Sequence, residues 1–148
     1  MLWKNILAKW VSNVKKSYTE LKKLNTFEER FNYLKMNEKV GSPTFGFDRY
    51  LNQMFYKTPK WRKVRDEVII RDNGCDLGME GYQINDKIII HHINPITLKD
   101  LEEDNNDIYN PEYLISVSDD THNAIHFGND NILEKQLKER KPGDTKLW

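Results

Sequence analysis

The stretch IIIHHINPI, at residues 88–96, ends a strand-like apolar run with two adjacent histidines. The other two histidines of the 148-residue chain, His122 and His126, lie four residues apart, where a second strand-like run gives way to a helical pattern. This spacing places them on one helix face, about 5–6 Å apart at Cβ, so both can coordinate one metal ion. Because successive strand side chains point to opposite faces, one of His91 and His92 can join them while the other stays available for proton transfer. The pattern therefore indicates a hydrolytic metal site.

The segments around these histidines resemble the HNH endonuclease family, whose core is the ββα-metal finger, also called the His-Me finger. The resemblance extends from about Trp61 to Gly128. Its most specific segments are IIHHINPI at 89–96, NPEYL at 110–114 and THNAIH at 121–126, with the words WRKVR at 61–65 and RDNG at 71–74 before them. The chain is more similar to small bacteriophage-encoded HNH proteins than to the long homing enzymes of the family. The implied fold is α+β, with a ββα-metal core preceded by several α-helices.

The resemblance implies a metal-dependent endonuclease that hydrolyses DNA phosphodiester bonds. His91, His122 and His126 match the metal ligands of the family, and His92 matches the general base that activates water. Many family members have aspartate at the position of His91. In having histidine at this position, the chain is more similar to the nuclease bacteriocins. Neutral imidazoles leave a divalent ion its full charge and open positions for a phosphate oxygen.

The expected cofactor is one divalent metal ion, with Zn, Ni, Mn and Mg as the candidates, and no small-molecule cofactor. All-histidine ligation suits zinc, nickel, copper or cobalt better than magnesium, which prefers oxygen ligands. Magnesium or manganese can still support turnover through water and phosphate oxygens.

One position departs from the family pattern. The middle asparagine of the family, which should precede Leu114, is Tyr113 in this chain. In the family this position helps to hold the hairpin loop and to orient the base histidine, partly through backbone contacts that a tyrosine also possesses. Asn110 or Asn123 could supply the missing amide, and both remain candidates for a supporting role.

Charge is segregated along the chain although the formal net charge is zero. Residues 1–72 carry 16 basic and 8 acidic residues, and residues 73–148 carry 7 basic and 15 acidic residues. The densest basic set lies just before the histidines and consists of Lys57, Lys60, Arg62, Lys63, Arg65 and Arg71. Such a set can present one cationic face to the DNA backbone. The alternative is a solvated helix face that is salt-bridged to the acidic half.

Three other interpretations remain open. The histidines could form a structural zinc site, although such sites are usually closed by four ligands, often cysteines, and Cys75 is the single thiol. The chain could instead be a catalytically inactive metal finger that binds DNA, or an accessory module that binds a phage DNA-packaging protein through its N-terminal helix. The single cysteine also excludes the paired-cysteine zinc knuckle of many HNH proteins, so hydrophobic packing is expected to brace the finger.

No secretory signal is expected from the first residues of the sequence, and no run approaches the roughly 20 apolar residues that a bilayer span requires. The expected location is the cytoplasm of a bacterial host cell, without a membrane partner. The expected organisation is an N-terminal helical extension at 1–57, an HNH nuclease core at 58–128, and a C-terminal helix and tail at 129–148.

Local patterns predict the secondary structure around the finger. Helices are predicted at 2–24, 27–36 with Thr26 as N-cap, 48–56, 60–71 after Thr58-Pro59, 120–127 with Asp119 or Asp120 as N-cap, and 132–140. Strands are predicted at 75–77, 82–84, 87–92 and 113–118, with no regular element in the polar stretch between the last two.

Overall fold

The computed structural model describes residues 15–36, 49–79 and 82–129. Its elements in chain order are α1 Tyr18–Leu21, α2 Phe27–Leu34, α3 Arg49–Lys57, α4 Pro59–Arg71, β1 Cys75–Asp76, β2 Tyr82–Gln83, β3 Ile89–His92, α5 Leu98–Glu102, the 3-10 helices Asn106–Tyr109 and Pro111–Tyr113, β4 Leu114–Val117, and α6 Asp119–Phe127. The expected mixture of helices and short strands is thus confirmed. The predictions for residues 2–14 and 132–140 lie outside the described residues. Within the described ranges, no helix has both the length and the apolar character to cross a bilayer.

Strands β3 and β4 form an antiparallel hairpin in which His91 pairs with Ile115 and His92 pairs with Leu114. The ladder continues one step further, because the Ile93 amide donates to the Tyr113 carbonyl at 2.9 Å. Side chains alternate across a strand, so His91 and His92 lie on opposite faces of the hairpin. A second small antiparallel pair, β1 with β2, precedes it in the chain.

The two faces of the hairpin pack in different apolar clusters. The His91 face packs towards α6 in a cluster of Leu21, Leu34, Leu77, Ile93, Ile115, Val117 and Ile125. The opposite face packs on α4 in a cluster of Phe55, Trp61, Val64, Val68, Ile90, Ile108 and Leu114. Leu21, Leu34 and Phe55 come from the segment predicted as an N-terminal extension, so the described part of that segment shares its core with residues 58–128.

Three predicted helix starts depend on local capping, and two are confirmed. Thr26 forms a full capping box with Glu29 at the start of α2. Thr58 accepts from the Trp61 amide at 3.2 Å at the start of α4, with proline at the first helical position. The N-cap of α6 is Ser118, not Asp119 or Asp120, because the Ser118 hydroxyl accepts from the Thr121 amide. The two acids instead occupy the first turn, where a negative charge is favourable.

The predicted continuous helix over 2–24 is wrong at its C-terminal end. Residues 15–17 are not helical, and Ser17 starts the short helix α1 as its N-cap. The cause is tertiary, since the Asn94 side-chain amide accepts from the Lys16 amide and donates to the Lys16 carbonyl, both at 2.9 Å. Helix α2 likewise ends at Leu34, two residues earlier than predicted, and the Met36 amide donates to the Ile125 carbonyl at 3.0 Å.

The expectation of no regular element between the hairpin strands is also wrong. The connection contains α5 and both 3-10 helices. Each begins at a capping side chain: Thr97 in a capping box with Asp100, then Asn105, then Asn110. Short polar residues are typical of stretches without a regular element. In this connection they start short helices instead, because their side chains accept hydrogen bonds from the first free backbone amides.

Candidate metal centre

Three imidazoles converge where α6 crosses the hairpin. His91 comes from β3, and His122 and His126 come from successive turns of α6. One ligand nitrogen from each lies within 4.8 Å of the other two. The Nε2 atoms of His122 and His126 are 3.0 Å apart. The His91 ring is nearly perpendicular to both, at 77° and 89°. The structure thus brings together the three residues that the sequence singled out as ligands.

The most informative atom of this group is Nε2 of His91. The residue is 2 % exposed, and this nitrogen is buried without a hydrogen-bond partner among the described residues. Burial, followed by the nearby His122 and His126 imidazoles, lowers the pKa of His91 well below its usual value, so the ring is neutral. A buried polar atom without a partner costs about 1–3 kcal/mol. A metal ion is a partner that would use its lone pair.

The donor set fits a divalent ion of the zinc type. Zinc–nitrogen bonds of about 2.0–2.1 Å imply that two nitrogen ligands of one ion lie about 3–4 Å apart. The separations within the group, from 3.0 Å to at most 4.8 Å, are near this range. Small side-chain rotations would therefore let His91, His122 and His126 hold one ion.

His92 lies on the other face of the hairpin in an aromatic setting. Its ring stacks on Trp61, with centroids 5.3 Å apart and an interplanar angle of 18°. Its Nε2 lies 3.1 Å from the Ile108 carbonyl oxygen. A carbonyl can only accept, so Nε2 carries the proton and Nδ1 carries the lone pair. Burial lowers the pKa of His92 to about 4, against the smaller opposite effect of the Ile108 carbonyl.

The lone pair of His92 is available. Its Nδ1 has no hydrogen-bond partner among the described residues, and the side chain lines a cavity of about 110 Å³. Lys15, Asp107 and Tyr113 line the same cavity, and the Lys15 amine pairs with the Asp107 carboxylate. A neutral imidazole with a free nitrogen next to an accessible cavity can accept a proton.

Sequence reasoning missed several contacts around His92. The Ile108 carbonyl is a backbone group, and no residue type signals its role. The predicted helix at 60–71 contains Trp61, but its pattern does not indicate that Trp61 stacks on a histidine 31 positions later. Lys15 was counted with the basic half of the chain and not placed beside the histidines.

The three residues predicted to support the hairpin loop have different surroundings in the structure. Tyr113 acts through its backbone, since its carbonyl extends the hairpin ladder to Ile93. The Asn110 amide oxygen accepts from the Glu112 amide at 3.0 Å and caps the second 3-10 helix. Asn123, on α6, makes no side-chain hydrogen bond among the described residues. Asn110 is therefore the asparagine that shapes the loop.

Most of the predicted DNA-contacting residues are exposed. Lys57 ends α3, and Lys60, Arg62, Lys63 and Arg65 lie on α4, where all four are exposed; we call these four the basic face of α4. Lys60 also reaches the loop, 3.7 Å from Asp104 and 3.9 Å above the Tyr109 ring. Arg65 lies 3.4 Å from Asp66.

Arg71 differs from the other basic residues in its surroundings, because its guanidinium is engaged within the protein. Its guanidinium donates to the Asp72 carboxylate and, at 2.6 Å each, to the Pro111 and Leu114 carbonyls. The Tyr18 ring covers it at 3.7 Å. Four of its five N–H donors are thereby engaged within the protein, so Arg71 is not part of the basic face.

The same segment braces the outer edge of β4. Asp72 accepts from the Ser116 amide at 2.8 Å, and the Leu77 amide donates to the Ser116 carbonyl at 3.0 Å. Together with Arg71 these bonds satisfy an edge that has no neighbouring strand within the described residues. Buried hydrogen bonds thus hold the hairpin in addition to the hydrophobic packing that was expected to brace it.

Comparison of the chain with protein-family models, with curated proteins and with solved structures finds no match. The resemblance to the HNH family stays a prediction, and the case for function depends on the geometry of the four histidines.

Proposed function

We propose that the chain is a metal-dependent endonuclease of the HNH type that hydrolyses DNA phosphodiester bonds. One observation carries the proposal. The imidazoles of His91, His122 and His126 converge, Nε2 of His91 is buried without a hydrogen-bond partner among the described residues, and the next residue along the strand, His92, is a fourth imidazole held in one tautomer. A closed structural zinc site would need a fourth protein ligand, and the described residues place no other histidine, cysteine or carboxylate in this group.

His91, His122 and His126 would hold the ion. When bound, a divalent ion supplies positive charge that stabilises the phosphate and the leaving oxygen. Because all three ligands are neutral imidazoles, zinc, nickel, copper and cobalt suit the donor set better than magnesium.

His92 is the proposed general base. Its Nδ1 takes a proton from the attacking water while the water oxygen forms a bond to phosphorus. The bond from phosphorus to the 3′ oxygen breaks, and that oxygen leaves with a proton from solvent. The Ile108 carbonyl, 3.1 Å from Nε2, stabilises the imidazolium that forms. The ring is neutral near pH 7, since its pKa is about 4.

The basic face of α4 is the proposed DNA contact. Trp61, which stacks on His92, lies on the same helix as Lys60, Arg62, Lys63 and Arg65. Lys60 also reaches Asp104 and Tyr109, in the loop whose Ile108 carbonyl meets His92, and so links this helix to the surroundings of the proposed base. Such contacts position the duplex without reading its sequence.

Cleavage of supercoiled plasmid tests the proposal. The protein is stripped with a chelator and then incubated with Mg, Mn, Co, Ni or Zn, in parallel with His92→Ala. We expect nicked or linear product with at least one metal and a loss of about 10²- to 10⁴-fold in rate for His92→Ala. Calorimetric zinc affinity of the variant should stay near that of the wild type, because His92 is not a ligand.

Two outcomes would contradict parts of this proposal. A wild-type cleavage rate in His92→Ala would remove His92 from the mechanism. Retention of plasmid DNA without cleavage in any metal would instead favour an inactive DNA-binding or DNA-packaging accessory module.

A further inference from the structure

A buried carboxylate links the segment before the hairpin to the helix that carries two of the histidines. Asp76 is 0 % exposed. Its Oδ1 accepts from the Gly78 amide at 2.9 Å. Its Oδ2 accepts from the Thr121 hydroxyl at 2.6 Å, the Ser118 hydroxyl at 2.9 Å and the Ser118 amide at 3.1 Å. A buried carboxylate is tolerated only where such donors surround it, so this arrangement is specific to one relative position of the two segments.

The partners of Asp76 occupy the first turn of α6. Ser118 is the N-cap, and Thr121 immediately precedes His122. The Ser118 and Thr121 hydroxyl oxygens lie 3.0 Å apart, and both hydroxyls lie within hydrogen-bond distance of Oδ2 of Asp76, so the two side chains and Asp76 form one network. Any shift of this turn would move the His122 imidazole with it.

Close packing enforces the same contact. A Cβ atom built on Gly78 would lie 2.5 Å from Cγ2 of Thr121 and 3.2 Å from Oδ1 of Asp76. Only a glycine lets the backbone at this position approach the helix so closely. The backbone at Gly78 is therefore in close contact with the first turn of α6.

Apolar packing alone would not set the orientation of α6. Its buried Ala124 and Ile125 contact the core through non-directional forces, which favour burial but tolerate rotation about the helix axis. Hydrogen bonds are directional and weaken steeply when they are misaligned. The network at Asp76, at the start of α6, and the hydrogen bond from the Met36 amide to the Ile125 carbonyl, near its end, are therefore the directional contacts that orient the helix.

The same segment also holds the element that carries the third histidine. Asp72 and Leu77 bind both backbone groups of Ser116 on β4, and β4 pairs with β3 beside His91. Residues 72–78 therefore contact both the hairpin and α6 and fix their relative position.

We propose that Asp76 is a positioning residue for the metal centre, which orients α6 through Thr121 and Ser118 so that His122 and His126 face His91. This inference rests on the metal centre of the proposed function, but it concerns metal binding and not cleavage.

The test compares two substitutions of Thr121. Thr121→Val keeps the shape of the side chain but removes the hydroxyl that makes the shortest bond to Asp76. Thr121→Ser keeps the hydroxyl and serves as the conservative control. Val68→Ala, in the apolar cluster on the opposite face of the hairpin from His91, controls for loss of stability alone. Asp76→Asn completes the set where it folds, with folding checked for every variant by circular dichroism and thermal unfolding.

The readout is the binding of Co²⁺ to metal-free protein, followed by visible absorption. We expect Thr121→Val to bind Co²⁺ about 10-fold more weakly with an altered spectrum, since loss of a group that orients metal ligands typically costs about 10- to 100-fold in affinity. Thr121→Ser and folded Val68→Ala should bind as the wild type does.

Three results would overturn the proposal. Wild-type affinity and spectrum in folded Thr121→Val, or an equal loss in Val68→Ala, would overturn the positioning role and leave the metal centre intact. Absence of Co²⁺ binding by the wild type would overturn the metal centre as well.

Discussion

The indole of Trp61 lies almost parallel to the imidazole of His92, with ring centroids 5.3 Å apart and an interplanar angle of 18°. At the edge of the same imidazole, Nε2 meets the Ile108 carbonyl at 3.1 Å. Helix α4 therefore restrains the face of the ring, and the loop between the hairpin strands restrains its edge. Restraint from two directions is what a general base needs to present one nitrogen to a water molecule.

Loss of the Trp61 ring should weaken catalysis more than metal binding. An aromatic pair contributes about 0.5–1.5 kcal/mol beyond area burial, so we expect Trp61→Leu to cleave plasmid up to about 10-fold more slowly under single-turnover conditions. Trp61→Phe keeps an aromatic face and should lose less. Zinc affinity should stay unchanged in both variants. Equal rates in the Leu and Phe variants would show that stacking on His92 has no part in orienting it.

Removal of either helix-borne imidazole should weaken metal binding and activity together. His122→Ala and His126→Ala each delete one of three protein ligands, and we expect calorimetric titration with zinc or nickel to show a loss of at least about 10-fold in affinity. Asn123→Ala is the matched control, because Asn123 lies on the same helix and its side chain makes no hydrogen bond among the described residues. Undiminished affinity in both histidine variants would exclude the site on α6.

Metal-free protein should lose stability in mild acid. The folded pKa of His92 is about 4, below the ordinary value of 6.5, so between these limits the unfolded chain binds a proton that the folded chain does not. The contribution of His92 to stability is thus fully present above about pH 6.5 and is lost as pH falls towards 4, at up to about 1.4 kcal/mol per pH unit. Thermal unfolding in the presence of a chelator measures this dependence.

His92→Gln provides the reference for that experiment. Its side-chain amide can still donate towards the Ile108 carbonyl, but it does not titrate. The dependence on pH between 4 and 6.5 should therefore be shallower in the variant. The same slope in both proteins would mean that His92 titrates normally in the folded state.

Charge reversal on α4 should weaken DNA binding in a manner that depends on salt. Each phosphate contact contributes about 0.9 to the slope of log affinity against log salt on duplex DNA. We expect the double variant Arg62→Glu, Lys63→Glu to flatten this slope and to bind unrelated sequences equally weakly, with zinc affinity unchanged. Fluorescence anisotropy with two unrelated duplexes at several salt concentrations measures both effects.

The double variant Lys22→Glu, Lys23→Glu makes the same change in net charge at two adjacent exposed residues just after α1. It should keep the wild-type slope. If both double variants behave alike, the net charge of the protein matters and the basic face of α4 does not.

Much of the local structure was predictable because its causes lie within a few residues. Thr26 and Thr58 cap the helices they were expected to cap, and each does so through an amide three positions later. The pairing of His91 and His92 with Ile115 and Leu114 follows the two strand-like runs. The spacing of His122 and His126 places them on one face wherever the helix forms.

The errors occurred where a distant side chain competes with a local pattern. Lys16 would continue a helix, but the Asn94 amide binds both of its backbone groups. The stretch between β3 and β4 contains visible capping residues, Thr97 and Asn105, yet its elements are too short to show a hydrophobic period.

The sequence by itself therefore determined the ligand-type residues of the candidate site, their spacing and the strands and helix that carry them. Only the tertiary structure decided their setting. It stacks Trp61 on His92, turns Arg71 inward, and surrounds Asp76 with donors that lie 42–45 positions away. Side-chain type and short-range spacing can be read along a chain, because helices and hairpins form from neighbours. Contacts between distant segments depend on how those elements pack, which no local pattern specifies.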